Sequence, residues 1–319
     1  MRKNAGIGIM TVLLFTAMLL SPKAVFAGAE EGLLLWFQIV FPTLFPFMLI
    51  SNLLLNSGGL GIISRVFGRP LGRLFATSRN GAFPVLAGFL CGYPMGAKVT
   101  SDLVRARQIA KEEGAYLLSF CNNTSPVFIM NFIVWKTLGR EDLLVPTLGI
   151  LMIVPILLSL PFRRYYLGRF RSGSPEHRTL RRFPDLDTDA PFLRNAGSSS
   201  LFDSCMMNGF EGIVKVGGYI IFFSILISLI QNIPGEHPVV TALMPSLEIT
   251  NGILMIHQSV PDIRTSWPLI LGLSSFGGFC SVAQTKCMIQ GTDLPILPYT
   301  VQKLAAALAA SFLAYLFMQ

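Results

Sequence analysis

Residues 82–104 read AFPVLAGFLCGYPMGAKVTSDLV, an apolar stretch broken at its centre by Cys91-Gly92-Tyr93-Pro94-Met95-Gly96. Its length approaches what a helix needs to cross a bilayer. Its flanks argue against a simple crossing. Arg65, Arg69, Arg73 and Arg79 precede it, and Arg105, Arg107 and Lys111 follow. Basic residues favour the cytoplasmic side, so a single span would strand one cluster outside. A helical hairpin that enters and leaves from the cytoplasm keeps both clusters inside. Gly92 and Gly96 permit unusual backbone angles and Pro94 breaks a helix, which makes the kink needed at the tip available at Cys91-Gly92-Tyr93-Pro94-Met95-Gly96. Non-helical backbone at membrane depth survives only where it is buried in protein or lines a cavity. The tip is therefore expected to wall a binding site.

The rest of the chain has the composition of a membrane protein. Of its 319 residues 52% are hydrophobic and only 13% charged, with mean hydropathy +0.59; soluble domains carry about a quarter charged residues. About six full spans are expected: Ile7–Phe26, Leu33–Leu55, Ala115–Trp135, Leu143–Phe162, Ile213–Ile230 and Leu297–Phe317. A second Gly-rich apolar segment, Trp267–Met288, is expected to form another re-entrant hairpin. Val25-Phe26-Ala27 behind the Arg2/Lys3 flank would suit signal cleavage. A long apolar segment follows almost at once, so a retained first span is preferred.

The net charge of +8 sits mostly in four groups: Arg2/Lys3, Arg65 to Arg79, Arg105 to Lys111, and Arg163 to Arg194. All four are assigned to the cytoplasm, and both termini with them. The charge suits anionic lipid headgroups, and no nucleic-acid partner is expected. Residues 163–206 read as a polybasic linker, partly disordered, between two halves. The five cysteines form no CxxC pair and the three histidines show no ligand spacing, so neither metal nor cofactor is expected. No Ser/His/Asp set, HExxH or P-loop is present, which argues against an enzyme.

Placing Gly92 on Gly278 aligns Tyr93 with Phe279, Ala97 with Ala283 and Lys98 with Gln284. The reading is an all-α protein of two inverted-topology repeats. An N-terminal helix (1–30) leads into repeat one (31–137), a connecting helix (138–162) and the linker, with repeat two at 207–319. The second hairpin would enter from outside, a plan recurrent in secondary transporters.

Candidate solute-binding residues follow from this layout. From the first hairpin come Gly92, Tyr93, Pro94, Gly96 and Lys98; from the second, Gly278, Ser281 and Gln284. Lys98 either snorkels to the interface or meets an anionic solute near the tip. Asn122-Asn123-Thr124-Ser125-Pro126 interrupts an apolar span, either for interhelical hydrogen bonding or as a discontinuous helix facing a polar site. Glu248 carries a proton if it lies deep, and is merely solvated if its segment is interfacial.

Several blocks together resemble the YlbJ (SpoVV) sporulation integral membrane family, within the wider nucleoside recognition or Gate-domain group. They are Trp36-Phe37-Gln38-Ile39-Val40-Phe41-Pro42-Thr43-Leu44-Phe45-Pro46-Phe47, Gly92-Tyr93-Pro94-Met95-Gly96-Ala97-Lys98, Asn122-Asn123-Thr124-Ser125-Pro126 and Leu247-Glu248-Ile249-Thr250-Asn251-Gly252. The resemblance runs from about Gly32 to the C-terminus. It implies a role in endospore formation in the membrane enclosing the forespore, and transport of dipicolinic acid, a small aromatic dianion. A nucleoside-like solute and a non-transporting scaffold are the alternatives. Expected partners are the small anionic solute and membrane lipid, with homo-oligomerisation left open.

Overall fold

The computed structural model describes residues 2–173, 181–185, 198–235 and 238–319. Two parts of the expected linker, 174–180 and 186–197, fall outside the described residues. All regular structure among the described residues is helical. Five stretches are long and apolar enough to cross a bilayer: Pro22–Asn56, Glu141–Ser172, Leu201–Gln231, Ile263–Met288 and Ile296–Met318.

The first apolar region is not the single span Ile7–Phe26. It divides at Ser21 into α1 (Arg2–Leu20) and α2 (Pro22–Leu35), because Pro22 suits the first turn of a new helix. A π-helical turn (Trp36–Val40) joins α2 to α3 (Phe41–Asn56). The ring of Pro42 crowds the carbonyl of Gln38 inside that turn, and the wider winding accommodates it. α11 (Ser198–Gln231) packs antiparallel along the whole of this helix. At Gly32 an added Cβ would sit 2.7 Å from the Cα of Ile221, a close approach that only a small residue allows. Trp36 Nε1 donates to Ile213 O at 3.0 Å, and Asn52 Nδ2 donates to Cys205 O at 3.2 Å near the other end.

Two short surface helices follow, α4 (Gly59–Val66) and α5 (Gly68–Phe75). α6 (Ala82–Leu90) and α7 (Met95–Arg105) then pack on each other around the turn at 91–94. α8 (Lys111–Phe120) stops at a non-helical break, 121–125, and the chain resumes as α9 (Pro126–Phe128), which widens into a π-helix (Ile129–Leu138). The span expected at Ala115–Trp135 is thus discontinuous. α10 (Leu144–Gly173) returns along it.

After α11, α12 (Pro238–Leu243) and a 3-10 turn (Met244–Ser246) lead to α13 (Ile249–Ser259). α14 (Ile263–Phe276) packs against α13 and against α16 (Ile296–Met318). α15 (Gly278–Met288) runs on from α14 across Gly277. Here the structure departs from the expected hairpin at Trp267–Met288. α14 and α15 barely touch, and together they cover the length of α16. The Trp267 ring lies 5.7 Å from that of Phe317, tilted by 59°, whereas Met288 lies one short loop from the start of α16. Gly277, at φ 87°, bends the helix without folding it back.

The molecule therefore has two ends. One gathers α4, α5, the loop 106–110 and residues 163–173 and 181–185: Tyr116 Oη donates to Phe75 O at 2.9 Å, Gln302 Nε2 to Tyr166 Oη at 2.9 Å, and Arg105 Nη2 to Met288 O at 3.0 Å. The other gathers Ser21, Thr147 and the helices around α12 to α14: Asn232 Nδ2 donates to Ser21 Oγ at 3.1 Å and Trp267 Nε1 to Thr147 Oγ1 at 2.9 Å.

Candidate functional site

The turn between α6 and α7 is seated against the break after α8. At Gly88 and Gly96 an added Cβ would lie 1.4 Å and 1.9 Å from Cys121 O, so both glycines are required by bare backbone contact. Gly92, at φ 90°, turns the chain directly over Ser125. The same arrangement recurs in the second half. The turn at Leu247-Glu248 is seated against the break at Gly277: Cys280 N donates to Leu247 O at 2.8 Å, and a Cβ at Gly278 would lie 3.1 Å from Ser246 O.

The two turn-and-break pairs interlock at mid-height. Tyr93 Oη donates to Ser275 O at 2.8 Å, and Thr124 Oγ1 to Ser274 O at 2.6 Å. Asn122 is fully buried and donates from Nδ2 to Thr285 Oγ1 and Tyr299 Oη, at 2.9 and 2.8 Å. Between the pairs lies a cavity of about 80 Å³. Its wall includes Gly92, Tyr93, Thr124, Ser125, Glu248, Ser281 and Gln284, which are seven of the residues singled out in the sequence.

The remaining candidates stand behind or away from that wall. Gly96 and Pro94 shape the first turn, and Gly278 the second break. Asn122 and Asn123 brace the first break from behind; Asn123 Nδ2 donates to Phe120 O at 2.7 Å. Lys98 is not at the tip cavity. Its Nζ is 2.8 Å from Asp102 Oδ2 and donates to Asn52 Oδ1 at 3.0 Å, in a separate polar vestibule that also holds Arg105, Glu211 and Lys215. Asp102 lies one turn on along α7, so its charge is the partner that the isolated Lys98 of the sequence reading lacked.

Glu248 is 2% exposed and begins α13. Its Oε2 accepts from Asn251 N at 2.9 Å, capping the helix, while the carboxyl faces the cavity. No described residue forms an ion pair with it under ordinary contact distances. The cavity wall contains no Lys, Arg or His. Residues at or next to the starts of α7, α13 and α15 line the cavity (Tyr93, Glu248 to Thr250 and Gly277), and helix N-termini carry partial positive charge.

Lys303 is the functional candidate that the sequence reading missed. It is 2% exposed, in the middle of α16, and has no acidic partner among the described residues. Its Nζ donates to Asn122 O at 3.0 Å and to Asn123 Oδ1 at 3.3 Å, and lies 5.0 Å from the centre of the Tyr93 ring. Tyr93 thus has the cavity on one side and the buried Lys303 amine on the other. The signal was available: a lone Lys within an otherwise apolar span is costly and calls for a role.

Comparison with known proteins fits this architecture. The chain is 25% identical, over 94% of its own length and 79% of the relative's, to the sporulation integral membrane protein YlbJ of Bacillus subtilis. No family model and no solved structure matches it.

Proposed function

We propose, starting from the chain's kinship with the YlbJ sporulation membrane proteins, that it is a permease for a small carboxylate solute, dipicolinic acid above all. One observation carries the reading: both turns and both span breaks line a single cavity. Discontinuous helices meeting at mid-membrane are the recurring device for a site reached alternately from either side.

The same contacts support inverted repeats in a register different from the one first read. Gly92 corresponds to the Leu247-Glu248 turn rather than to Gly278, and the break at 121–125 corresponds to Gly277. The α6–α7 hairpin then enters from the end rich in arginine, and the α13 turn from the opposite end. By the charge rule the arginine-rich end is cytoplasmic. In this reading α14 and α15 together make one crossing, which would put Gln319 at the end opposite the arginine-rich one rather than on the side first expected.

Glu248 gives the cavity an acid and no base. A carboxylate solute can share such a cavity only with a protonated Glu248, so solute and proton move together. The helix N-termini supply the complementary positive field. The absence of basic side chains from the wall favours a second reading, a nucleoside-like solute held by Tyr93, Thr124 and Gln284.

Uptake of labelled dipicolinate into proteoliposomes separates these readings. A pH gradient, acid on the entry side, is expected to drive accumulation, and Glu248→Gln to abolish that dependence. Competition by uridine would favour the nucleoside reading. Folded protein that moves neither solute would leave a structural role in the sporulation membrane.

A further inference from the structure

Four arginines, Arg69, Arg73, Arg79 and Arg182, line one cavity of about 270 Å³ at the arginine-rich end. They come from three separate segments: α5, the loop after it, and the described stretch 181–185. Bare backbone assembles them. A Cβ at Gly68 would sit 2.9 Å from Arg79 Cβ, and one at Gly72 would sit 3.1 Å from Thr77 O, so the loop lies directly on α5. Phe183 anchors the third segment. Its N donates to Ala76 O at 3.0 Å, and its buried ring packs 5.2 Å from Phe170 and 6.0 Å from Tyr116.

Gathering four guanidinium groups is unfavourable unless negative charge sits among them. Asp185 supplies one carboxylate, 3.2 Å from Arg79 and 3.4 Å from Arg182. Arg69 and Arg73, one turn apart on α5, form no ion pair among the described residues. Among the described residues, Asp185 is the one acid paired with these four arginines. Alongside, α4 and α5 leave Ile62, Val66, Phe67 and Leu74 exposed, the mark of helices lying in a membrane interface.

We propose that this cavity binds the phosphate of an anionic membrane phospholipid. Arg69 and Arg73 grip the phosphate through paired N–H donors, and Arg79 and Arg182 hold the linker segment closed beside it. The acyl chains lie along the exposed apolar face of α4 and α5. A free phosphate compound shares the headgroup's chemistry but gains nothing from that apolar face.

The test uses the full chain, purified in detergent, stripped of lipid and titrated with phosphatidylglycerol, with binding read by native mass spectrometry. Wild type is compared with Arg69→Gln/Arg73→Gln and with the charge-matched control Arg65→Gln/Arg164→Gln, whose residues do not line the cavity. All four side chains are exposed, so folding is preserved, and elution as a single species checks it. The cavity variant is expected to bind the lipid roughly tenfold more weakly or worse, and the control to bind as wild type does. Equal loss in both variants, or no loss in either, overturns the proposal. Binding of inorganic pyrophosphate that displaces the lipid at equal concentration overturns the assignment to a lipid.

Discussion

Lys303 Nζ, on the last helix, donates to the main-chain oxygen of Asn122 at 3.0 Å, and so ties α16 to the break that follows α8. The tie joins the two halves at the height of the cavity, where Tyr93 covers the amine with its ring. Two energies oppose each other in a Lys303→Met variant. Leaving the Asn122 carbonyl unpaired costs about 1–3 kcal/mol, while removing an amine without an acidic partner from membrane depth recovers about 2.5–3.5 kcal/mol. Stability is therefore expected to change little, while dipicolinate uptake falls at least tenfold. Thermal unfolding in detergent, run beside the uptake assay, reads both. A large loss of stability with uptake intact per folded molecule would make Lys303 a structural residue alone.

Gly96 faces Cys121 O so closely that an alanine Cβ would lie 1.9 Å from it. Gly96→Ala is expected to displace the tip from the break, with a loss of about 3 kcal/mol or more, beyond ordinary overpacking because both partners are backbone. Gly61→Ala is the control, since nothing lies within 4 Å of a Cβ there. It should be neutral or slightly stabilising. Yields of monodisperse protein from the two variants make the comparison.

Lys98 and Asp102 form an ion pair at 2.8 Å outside the cavity. Lys98→Ala alone leaves Asp102 with Arg105, 3.0 Å away, as its remaining ion partner, so a partial loss of activity is expected. Lys98→Ala/Asp102→Ala removes both charges, and activity should recover towards wild type. Failure of the second substitution to rescue the first would return Lys98 to the solute site.

Glu248→Gln keeps an oxygen that can accept from Asn251 N and so retains the helix cap. Folding should be unaffected, and exchange of dipicolinate across equal pH should persist. Accumulation driven by a proton gradient should vanish. Gradient-driven uptake in the variant equal to wild type would exclude Glu248 as the proton carrier.

The first hairpin was legible because its residues leave little choice: basic clusters on both flanks and Gly-Tyr-Pro at the centre. The break at Asn122 was legible because consecutive polar residues and Pro126 cannot continue an apolar helix. The second half misled for a physical reason. Gly92 and Gly278 both adopt positive φ, 90° and 77°, so their match in sequence records a shared backbone turn, and in the proposed register they hold different places. The turn that answers Gly92 in the proposed register, Leu247-Glu248, contains no Gly, and Pro245 lies just ahead of it. It is formed by a 3-10 turn at Met244–Ser246 running into a helix capped by Glu248. That capping acid within a weakly apolar segment was the readable sign.

Cys91 and Cys280 both line the cavity, one beside each turn-and-break pair. The most direct test is therefore thiol labelling of a protein in proteoliposomes whose other cysteines are serine. The rate is measured with and without saturating dipicolinate. The account predicts that the solute slows labelling of both positions together, and that this protection persists in Glu248→Gln, whose neutral amide stands in for the protonated acid. Labelling of Cys91 and Cys280 at rates indifferent to the solute, in protein that still transports it, would contradict the claim that this cavity is the solute site.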